Sequence, residues 1–175
     1  MKKLIIVTHP DIKNSKINKR WMEELKRYPE EFTVHSLYEF YPDGQIDIDK
    51  EQELVSSHES VILQFPLYWF SSPPLLKKWL DEVLLHDWAY GSKGDKIKDK
   101  KFALAISAGI KEEDYTPDGR YKVTVEELTI PFATTFRYTK SDYRPFFAFY
   151  GAEDIPEDQT IDQSAIDYLK FARAL

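Results

Sequence analysis

The sequence contains no cysteine, and this absence excludes disulfide bonds, thiolate metal sites and cysteine nucleophiles together. Its 4 histidines are scattered without the close spacing of zinc-binding pairs, so no metal site is expected. No segment approaches the roughly 18 consecutive apolar residues of a membrane-spanning helix. The run before His9 is also too short for the apolar part of a signal peptide. We therefore expect a cytoplasmic protein.

Positively charged residues are fewer than negatively charged ones. Lysine and arginine number 24 against 30 aspartates and glutamates, and the net charge of −6 argues against a general nucleic-acid-binding protein. The 175 residues fit one domain, because a chain of this length buries about 70% of the surface that its unfolded form exposes. Aromatic residues, by contrast, are abundant at 15%. They belong either to a large core or to an aromatic-lined pocket or interface, and composition leaves both open.

Short apolar segments alternate with amphipathic ones along the chain. Strands are predicted at residues 4–8, 32–37, 60–65, 102–107 and 146–150. Helices are predicted from Ser15 onward, at residues 50–57, from the Pro73-Pro74 pair onward, and at residues 123–134 and 163–174. This alternation is typical of right-handed βαβ units around a parallel sheet. One doubly wound α/β domain is therefore predicted.

The loops that follow the predicted strands are where a ligand is expected, because open parallel sheets bind ligands beyond the carboxyl ends of their strands. The loop after the first strand contains His9 and leads into Ser15, Lys16, Ile17 and Asn18. Ser15 either caps the helix or helps the free backbone N–H groups hold a phosphate, and both interpretations stay open. The GxGxxG pattern of Rossmann domains is absent, so a site of that type is not supported.

The loop after the third strand is rich in aromatic residues; it reads Pro66, Leu67, Tyr68, Trp69, Phe70. Three consecutive aromatic side chains cannot all face one core. Some must meet solvent, a partner subunit or a ligand, and a planar heteroaromatic ring is a natural partner. The alternative is a loop used for packing or dimer formation.

The loop after the fourth strand begins with Ser107, Ala108, Gly109 and Ile110. Gly109 permits the backbone to approach a bound ring closely. A glycine after a strand is also ordinary turn chemistry, so this loop adds to the ligand hypothesis without establishing it alone.

Four motifs in the sequence resemble the NAD(P)H:quinone oxidoreductase family. They are IIVTHP at residues 5–10, SxxN at 15–18, QFPLYWFSSPPLLKKWLDEVL at 64–84 and HDWAYG at 86–91. The pattern FPxxW[FY]xxPPxLKxW within the third motif is highly specific, and the resemblance covers the chain from end to end. This family includes small bacterial general-stress and drug-modulator flavoproteins, and the ancillary subunits of glutathione-gated potassium efflux systems.

The resemblance implies a flavodoxin-like three-layer sandwich over residues 1–175, with a five-stranded parallel sheet of order 2-1-3-4-5 and helices on both faces. It also implies a homodimer with FMN, or alternatively FAD, at the interface, and ping-pong hydride transfer from NAD(P)H to a quinone-like acceptor. Short bacterial members mostly use FMN, which we therefore prefer. By position, His9 and residues 15–18 would surround the flavin phosphate and ribityl chain. Residues 66–70 and 107–110 would frame the isoalloxazine ring. Trp79, Trp88 and Tyr90 would belong to the region that pairs subunits.

The sequence departs from the family pattern in two places. Relatives carry Thr-Thr-Gly-Gly where this chain has residues 107–110, which puts the path of that loop in doubt. Relatives also place a Tyr and a His near the flavin. Tyr115 matches the Tyr, whereas the His position falls near Arg120 or Tyr121. These three residues are the catalytic candidates; the alternative is that they are surface residues of a flexible loop.

Three other functions compete with a quinone reductase. A one-electron flavodoxin carrier is disfavoured, because residues 15–18 do not match the phosphate loop of such carriers. A regulatory subunit that docks on a potassium efflux transporter is permitted by the resemblance. Reduction of nitro or azo compounds would use the same mechanism with another acceptor.

Overall fold

The computed structural model describes residues 2–175, and its centre is a parallel sheet. Its long strands are β1 (Lys3–Val7), β2 (Phe32–Ser36), β3 (Ser60–Pro66) and β4 (Lys101–Ser107). They lie in the order β2-β1-β3-β4, and all pair in parallel. Two short strands, β5 (Asp142–Tyr143) and β6 (Phe147–Phe149), both pair with β4 at the far edge. The predicted order is therefore confirmed, with a sixth strand added.

The edge of the sheet differs from the prediction of one strand at residues 146–150. Arg144 still donates its backbone N–H to the carbonyl of Phe102, at 2.8 Å. Pro145 follows and has no N–H to donate, so the pairing with β4 is interrupted between β5 and β6. The predicted strand corresponds to β6, and β5, which lies before the proline, was not predicted.

Helices cover both faces of the sheet, as predicted. Their bounds are α1 (Ile17–Lys26), α2 (Leu37–Phe40), α3 (Ile48–Ser56), α4 (Pro74–Val83), α5 (Val125–Leu128), α6 (Ile130–Tyr138) and α7 (Asp158–Ala174). A short 3₁₀ turn spans Glu112–Asp114. α1 and α7 pack on the face that carries Ile5 and Val7, and α3, α4 and α6 pack on the face that carries Leu4 and Ile6. None of the helices between residues 2 and 175 is both long and apolar enough to cross a bilayer.

Two helix predictions were wrong by several residues, and one short helix was missed. The helix predicted at 123–134 is two helices, and α6 runs on to Tyr138. Pro131 lies in the first turn of α6, where its missing N–H costs no hydrogen bond. α7 begins five residues earlier than predicted, with Ile161 buried in the core. α2 was not predicted, because Leu37 was assigned to the preceding strand.

A buried carboxylate joins β2, α3 and α4. Glu51 is 1% exposed and accepts hydrogen bonds from His35 Nε2 at 2.6 Å, Tyr41 Oη at 2.7 Å and Trp79 Nε1 at 2.7 Å. Burial alone would raise the pKa of Glu51. The hydrogen bond and charge of His35, with the bonds from Trp79 and Tyr41, outweigh that effect, and the pKa lies below its ordinary value. Trp79, assigned to the subunit-pairing region by resemblance, is instead fully buried in this cluster.

Candidate active site

Two adjoining clefts open at the carboxyl ends of β1, β3 and β4. The larger, here called the aromatic cleft, has a volume of about 520 Å³. Its walls are mostly predicted ring-contacting and catalytic residues: Leu67, Tyr68, Trp69, Phe70, Gly109, Ile110, Tyr115 and Tyr121. The smaller, the polar cleft, has a volume of about 260 Å³. It brings together the predicted residues His9, Ser15, Lys16, Ile17, Asn18, Pro66 and Ser107.

The two clefts adjoin, because four residues line both. They are Leu67, Tyr68, Gly109 and Glu153. Most of the predicted site residues therefore meet in one composite cavity, although they come from three separate loops. A ligand that spans it would meet aromatic rings at one end and polar groups at a helix start at the other.

Two predicted site residues, Ala108 and Arg120, do not line either cleft. Ala108 is fully buried, and its backbone N–H donates to the carbonyl of Phe149 at 2.7 Å. Ala108 therefore supports the loop that forms the site, and its side chain does not contact the clefts. Arg120 is exposed, with its guanidinium 5.6 Å from the centre of the Tyr121 ring.

Three cleft residues were missed from the sequence: Asn14, Ala152 and Glu153. Ala152 and Glu153 follow β6 and hydrogen-bond back to the loop after β4, through Ala152 N to Ala108 O and Glu153 N to Gly109 O, both at 3.0 Å. The rule that ligands bind at strand carboxyl ends would have found them, had it been applied to the loop after the last strand.

The aromatic loop after β3 is a tight turn with an unusual backbone. Tyr68 and Ser71 exchange two backbone hydrogen bonds, of 2.8 and 3.0 Å. Between them, Trp69 and Phe70 have φ angles of 49° and 62°, the left-handed values of a type I′ turn. Each such value costs a residue with a side chain roughly 1–2 kcal/mol, and glycine or asparagine is usual there. The turn leaves Trp69 94% exposed at the mouth of the aromatic cleft.

Aromatic rings from the loop after β4 form the opposite wall. The ring of Phe70 lies 5.1 Å from that of Tyr121 and 6.5 Å from that of Tyr115, centre to centre. Burial raises the pKa of the Tyr115 hydroxyl, and the neighbouring Tyr121, Glu153 and Asp114 raise it further. Tyr115 is therefore a neutral hydroxyl that keeps its proton well beyond neutral pH.

The polar cleft is built around the start of α1. Ser15 Oγ accepts a hydrogen bond from the backbone N–H of Asn18 at 3.2 Å, the pattern of a helix cap. Because this bond uses a lone pair of the hydroxyl, the hydroxyl hydrogen stays free to be donated to a ligand. The capping and phosphate-binding interpretations of Ser15 are therefore compatible.

His9 closes the polar cleft beside Tyr68. Its ring stands edge-on to the Tyr68 ring at 6.4 Å, and its Nδ1 accepts the backbone N–H of Asp11 at 3.1 Å. The proton of the neutral ring therefore sits on Nε2. Burial lowers the pKa of His9, and the nearby Asp11 carboxylate only partly opposes this effect.

The composite cavity fits a ligand with a planar ring at one end and a phosphate at the other. Such a ligand is expected where a strand-to-helix turn meets the carboxyl edge of a doubly wound sheet. Residues 1–172 match the model of a protein family described by its flavodoxin-like fold. The chain belongs to this family.

Two relatives match this chain over nearly their whole length. The chain is 45% identical over 172 residues to the uncharacterized NAD(P)H oxidoreductase YrkL of Bacillus subtilis, covering 97% of this chain and 98% of YrkL. It is 36% identical over 165 residues to the glutathione-regulated potassium-efflux system ancillary protein KefF of Enterobacter sp., covering 94% of this chain and 92% of KefF.

Two crystal structures share the architecture. General stress protein 14 of Treponema denticola, solved in complex with FMN, superposes with a TM-score of 0.95 at 46% identity over 99% of both chains. An NADPH-quinone reductase from P. pentosaceus superposes with a TM-score of 0.88 at 28% identity over 98% of both chains. The flavodoxin-like fold and the family assignment made from the sequence motifs are therefore confirmed, and membership among NAD(P)H oxidoreductases supports an oxidoreductase.

Proposed function

We propose that this protein binds FMN across the two clefts and transfers a hydride from NAD(P)H to a quinone-like acceptor in a ping-pong cycle. The observation that carries the proposal is that the aromatic and polar clefts adjoin and share Leu67, Tyr68, Gly109 and Glu153. The relatives add support, because one neighbour was solved with FMN and another is named an NADPH-quinone reductase.

Each cleft has a separate task in this proposal. His9 and residues 15–18 would hold the phosphate and ribityl chain at the start of α1, where backbone N–H groups favour an anion. Residues 66–70 and 107–110 would frame the ring, with Pro66 and Ser107 on the side of the polar cleft and Ala108 acting only through its backbone. FMN, when bound, supplies the hydride chemistry, while the protein orients the ring and stabilises the negative charge that develops on it. FMN is preferred to FAD because the neighbour general stress protein 14 was solved in complex with FMN.

Tyr115, Tyr121 and Arg120 are the candidates for stabilising that charge. The two tyrosines line the aromatic cleft, so their hydroxyls are the direct donors in this proposal. Arg120 lies outside the cleft, over the ring of Tyr121, and would act through the field of its charge. A hydroxyl whose pKa is raised, as that of Tyr115 is, remains a donor throughout the working pH range.

The same proposal includes a cytoplasmic homodimer, because exposed apolar rings need cover. Trp69 is 94% exposed at the cleft mouth, and Tyr138, 67% exposed, extends a ring contact from Tyr90. With Trp79 buried, Trp88 and Tyr90 remain as the interface candidates in their region. Sedimentation at micromolar concentration tests this part: a monomer that still reduces quinone would contradict it.

The cofactor is tested by incubating the purified protein with FMN, FAD and riboflavin and measuring each dissociation constant by flavin fluorescence. We expect FMN to bind most tightly, because only it has both a ring for the aromatic cleft and a terminal phosphate for the polar cleft. A colourless protein that takes up none of the three would contradict the proposal.

Replacing Ser15 by alanine should weaken the binding of FMN about tenfold, the usual loss when one hydrogen bond to a charged group disappears. Riboflavin affinity should change little, since riboflavin has no phosphate for the hydroxyl to reach. Loss of the cap should also lower the free energy of unfolding by about 1 kcal/mol. The two dissociation constants separate these effects. An equal loss for both flavins would assign Ser15 to capping alone.

The rate of flavin reduction by NAD(P)H should change little between about pH 6 and pH 8. The reason is that no proposed charge-stabilising group changes its protonation in this range. The raised pKa of Tyr115 keeps its hydroxyl neutral, and burial lowers the pKa of His9 from its ordinary value, which favours the neutral ring. Rapid-mixing reduction across this range is the measurement. A clear titration near pH 6.5, the ordinary value of histidine, would implicate His9 and remove Arg120 from the mechanism.

A regulatory role on a potassium efflux transporter is the second candidate, favoured by the 36% identity to KefF over 94% of the chain. It does not exclude oxidoreductase activity. Co-purification of a tagged protein with the transporter encoded by the same genome, at low detergent, is the discriminating measurement. Nitro and azo compounds remain alternative acceptors for the same chemistry, to be compared with quinones in turnover assays.

A further inference from the structure

A chain of hydrogen bonds between three side chains lies beneath the polar cleft. Gln64, in β3, is fully buried, and its Nε2 donates to the backbone carbonyl of Asn18 at 2.9 Å and to Asn18 Oδ1 at 3.2 Å. Asn18 is 1% exposed, and its Nδ2 donates to Ser107 Oγ at 2.7 Å. Ser107 ends β4 and lines the cleft. The three residues thus connect the sheet, the start of α1 and the ligand cavity.

The direction of this chain is fixed by chemistry. A backbone carbonyl only accepts hydrogen bonds, so the NH₂ end of the Gln64 amide must face the carbonyl of Asn18. The same NH₂ group then requires an acceptor beside it, which turns Asn18 Oδ1 toward Gln64. Asn18 Nδ2 is left to face Ser107 and donates to it. Gln64 keeps this orientation even though its own Oε1 is buried without a partner among residues 2–175.

The consequence falls on the hydroxyl of Ser107. Because Ser107 Oγ accepts from Asn18, its hydrogen points elsewhere, and no group among the described residues receives it. The exposed side of this hydroxyl is the polar cleft. Ser107 therefore has its hydroxyl hydrogen free to donate to a ligand in the polar cleft.

We propose that Gln64 is a positioning residue that sets the polarity of the Ser107 hydroxyl, so that this point of the cavity selects a ligand with an acceptor atom. Gln64 does not line either cleft and acts through Asn18. The identity of the ligand used below, FMN, rests on the function proposed above. The acceptor that Ser107 meets is an oxygen or ring nitrogen of that ligand, since FMN offers both.

A double-mutant cycle tests whether Gln64 acts through Ser107. Gln64→Glu is nearly the same size but only accepts when ionised. At a pH high enough to ionise this buried carboxyl, it would turn the Asn18 amide around and make Ser107 donate to Asn18 Oδ1. We expect Gln64→Glu to weaken FMN binding about tenfold in the native background, and less than about twofold when Ser107 is already alanine. Gln64→Met removes the donor without adding charge. It should also weaken FMN binding more in the native background than in the Ser107→Ala background, but by a smaller factor.

Gln52→Glu is the matched control. Gln52 Nε2 also donates to a backbone carbonyl, that of Val83 at 2.9 Å, but it joins α3 to α4 away from the clefts. The same chemical change there should leave FMN affinity unaltered. Equal losses from Gln64→Glu in both Ser107 backgrounds would overturn the proposal, because a general loss of structure acts without regard to the hydroxyl.

The side-chain amide signals of the flavin-free protein provide a second test that does not depend on FMN. In ¹⁵N–¹H spectra, the NH₂ pair of Asn18 should exchange slowly with water and shift in both Ser107→Ala and Gln64→Met. If this NH₂ pair exchanges as fast as an exposed amide, or if neither substitution shifts its signals, the proposed chain of hydrogen bonds is wrong. If the native protein binds no FMN while these signals behave as expected, the proposed function fails and the chain of hydrogen bonds through Gln64, Asn18 and Ser107 is still supported.

Discussion

Replacing Gly109 by leucine is expected to weaken FMN binding at least about 100-fold, close to abolishing it. Gly109 is one of the four residues that line both clefts, so a side chain there would fill their junction. The space is already limited, because a Cβ atom at this position would lie 2.6 Å from Oε1 and 2.9 Å from Cγ of Glu153. The displaced carboxylate would then move into the cavity as well. Flavin titration by fluorescence measures the loss.

Two further variants show whether this loss comes from blocking the cavity. Gly44→Leu makes the same change where an added Cβ meets nothing within 4 Å, and it should bind FMN normally despite some strain at its φ of 73°. Adding Glu153→Ala to Gly109→Leu removes the displaced carboxylate but leaves the leucine in place. The double variant should still fail to bind FMN. Normal FMN affinity in Gly109→Leu would show that the ligand does not cross the junction.

Replacing Glu51 by alanine is expected to lower the free energy of unfolding by about 3–5 kcal/mol, because each buried donor that loses its acceptor costs roughly 1–3 kcal/mol. The substitution leaves the donors on His35, Tyr41 and Trp79 without their acceptor and opens a cavity between β2, α3 and α4. For a chain of this length, each kcal/mol lowers the melting temperature by roughly 2–4 °C. Glu53→Ala, on the exposed side of the same helix, should change stability by less than about 0.5 kcal/mol.

The contribution of Glu51 should also depend on pH. Its pKa in the folded protein lies below the ordinary value of 4.5, so the folded state binds its proton less readily than the unfolded chain does. The stabilisation is complete above pH 4.5 and is lost as the pH falls through the lowered value. Urea unfolding of the native protein and of Glu51→Gln at several pH values tests this. A stability difference that stays constant into acid would contradict an ionised Glu51.

The central strands were predicted to within one residue, because strands that are buried on both faces have nearly continuous apolar sequences. Residues 60–65 are an almost continuous apolar segment, and β3 is buried along its whole length. The sequence pattern at the edge of the sheet is weaker, because β5 has only two residues and Pro145 interrupts the pairing that follows. The Glu51 cluster has no such pattern. A glutamate in a helix is usually solvated, and only the tertiary approach of β2 and α4 surrounds this one with donors.

The candidate site was predictable where topology or motif determines it. The first and third strands direct their loops to one edge of the sheet, and the residues there form the clefts as expected. Arg120 lies outside the clefts, and its sequence position next to Tyr121 does not say which of the two side chains turns inward. Glu153 was missed because the rule for strand carboxyl ends was not applied to the loop after the last strand, where Glu153 hydrogen-bonds to Gly109. The chain of hydrogen bonds through Gln64 was also invisible, since a glutamine within an apolar strand shows no sign of its partner.

The most direct test of the account is an anaerobic titration of the FMN-loaded protein. NADH or NADPH, with no other protein present, should bleach the flavin absorbance with one equivalent of nicotinamide per flavin, and added quinone should restore it with one equivalent of quinone. That result would show both half-reactions of a ping-pong hydride transfer at this site. Flavin that stays oxidised under both nicotinamides, yet is reduced when a separate reductase is added, would identify a one-electron carrier and contradict the proposed function.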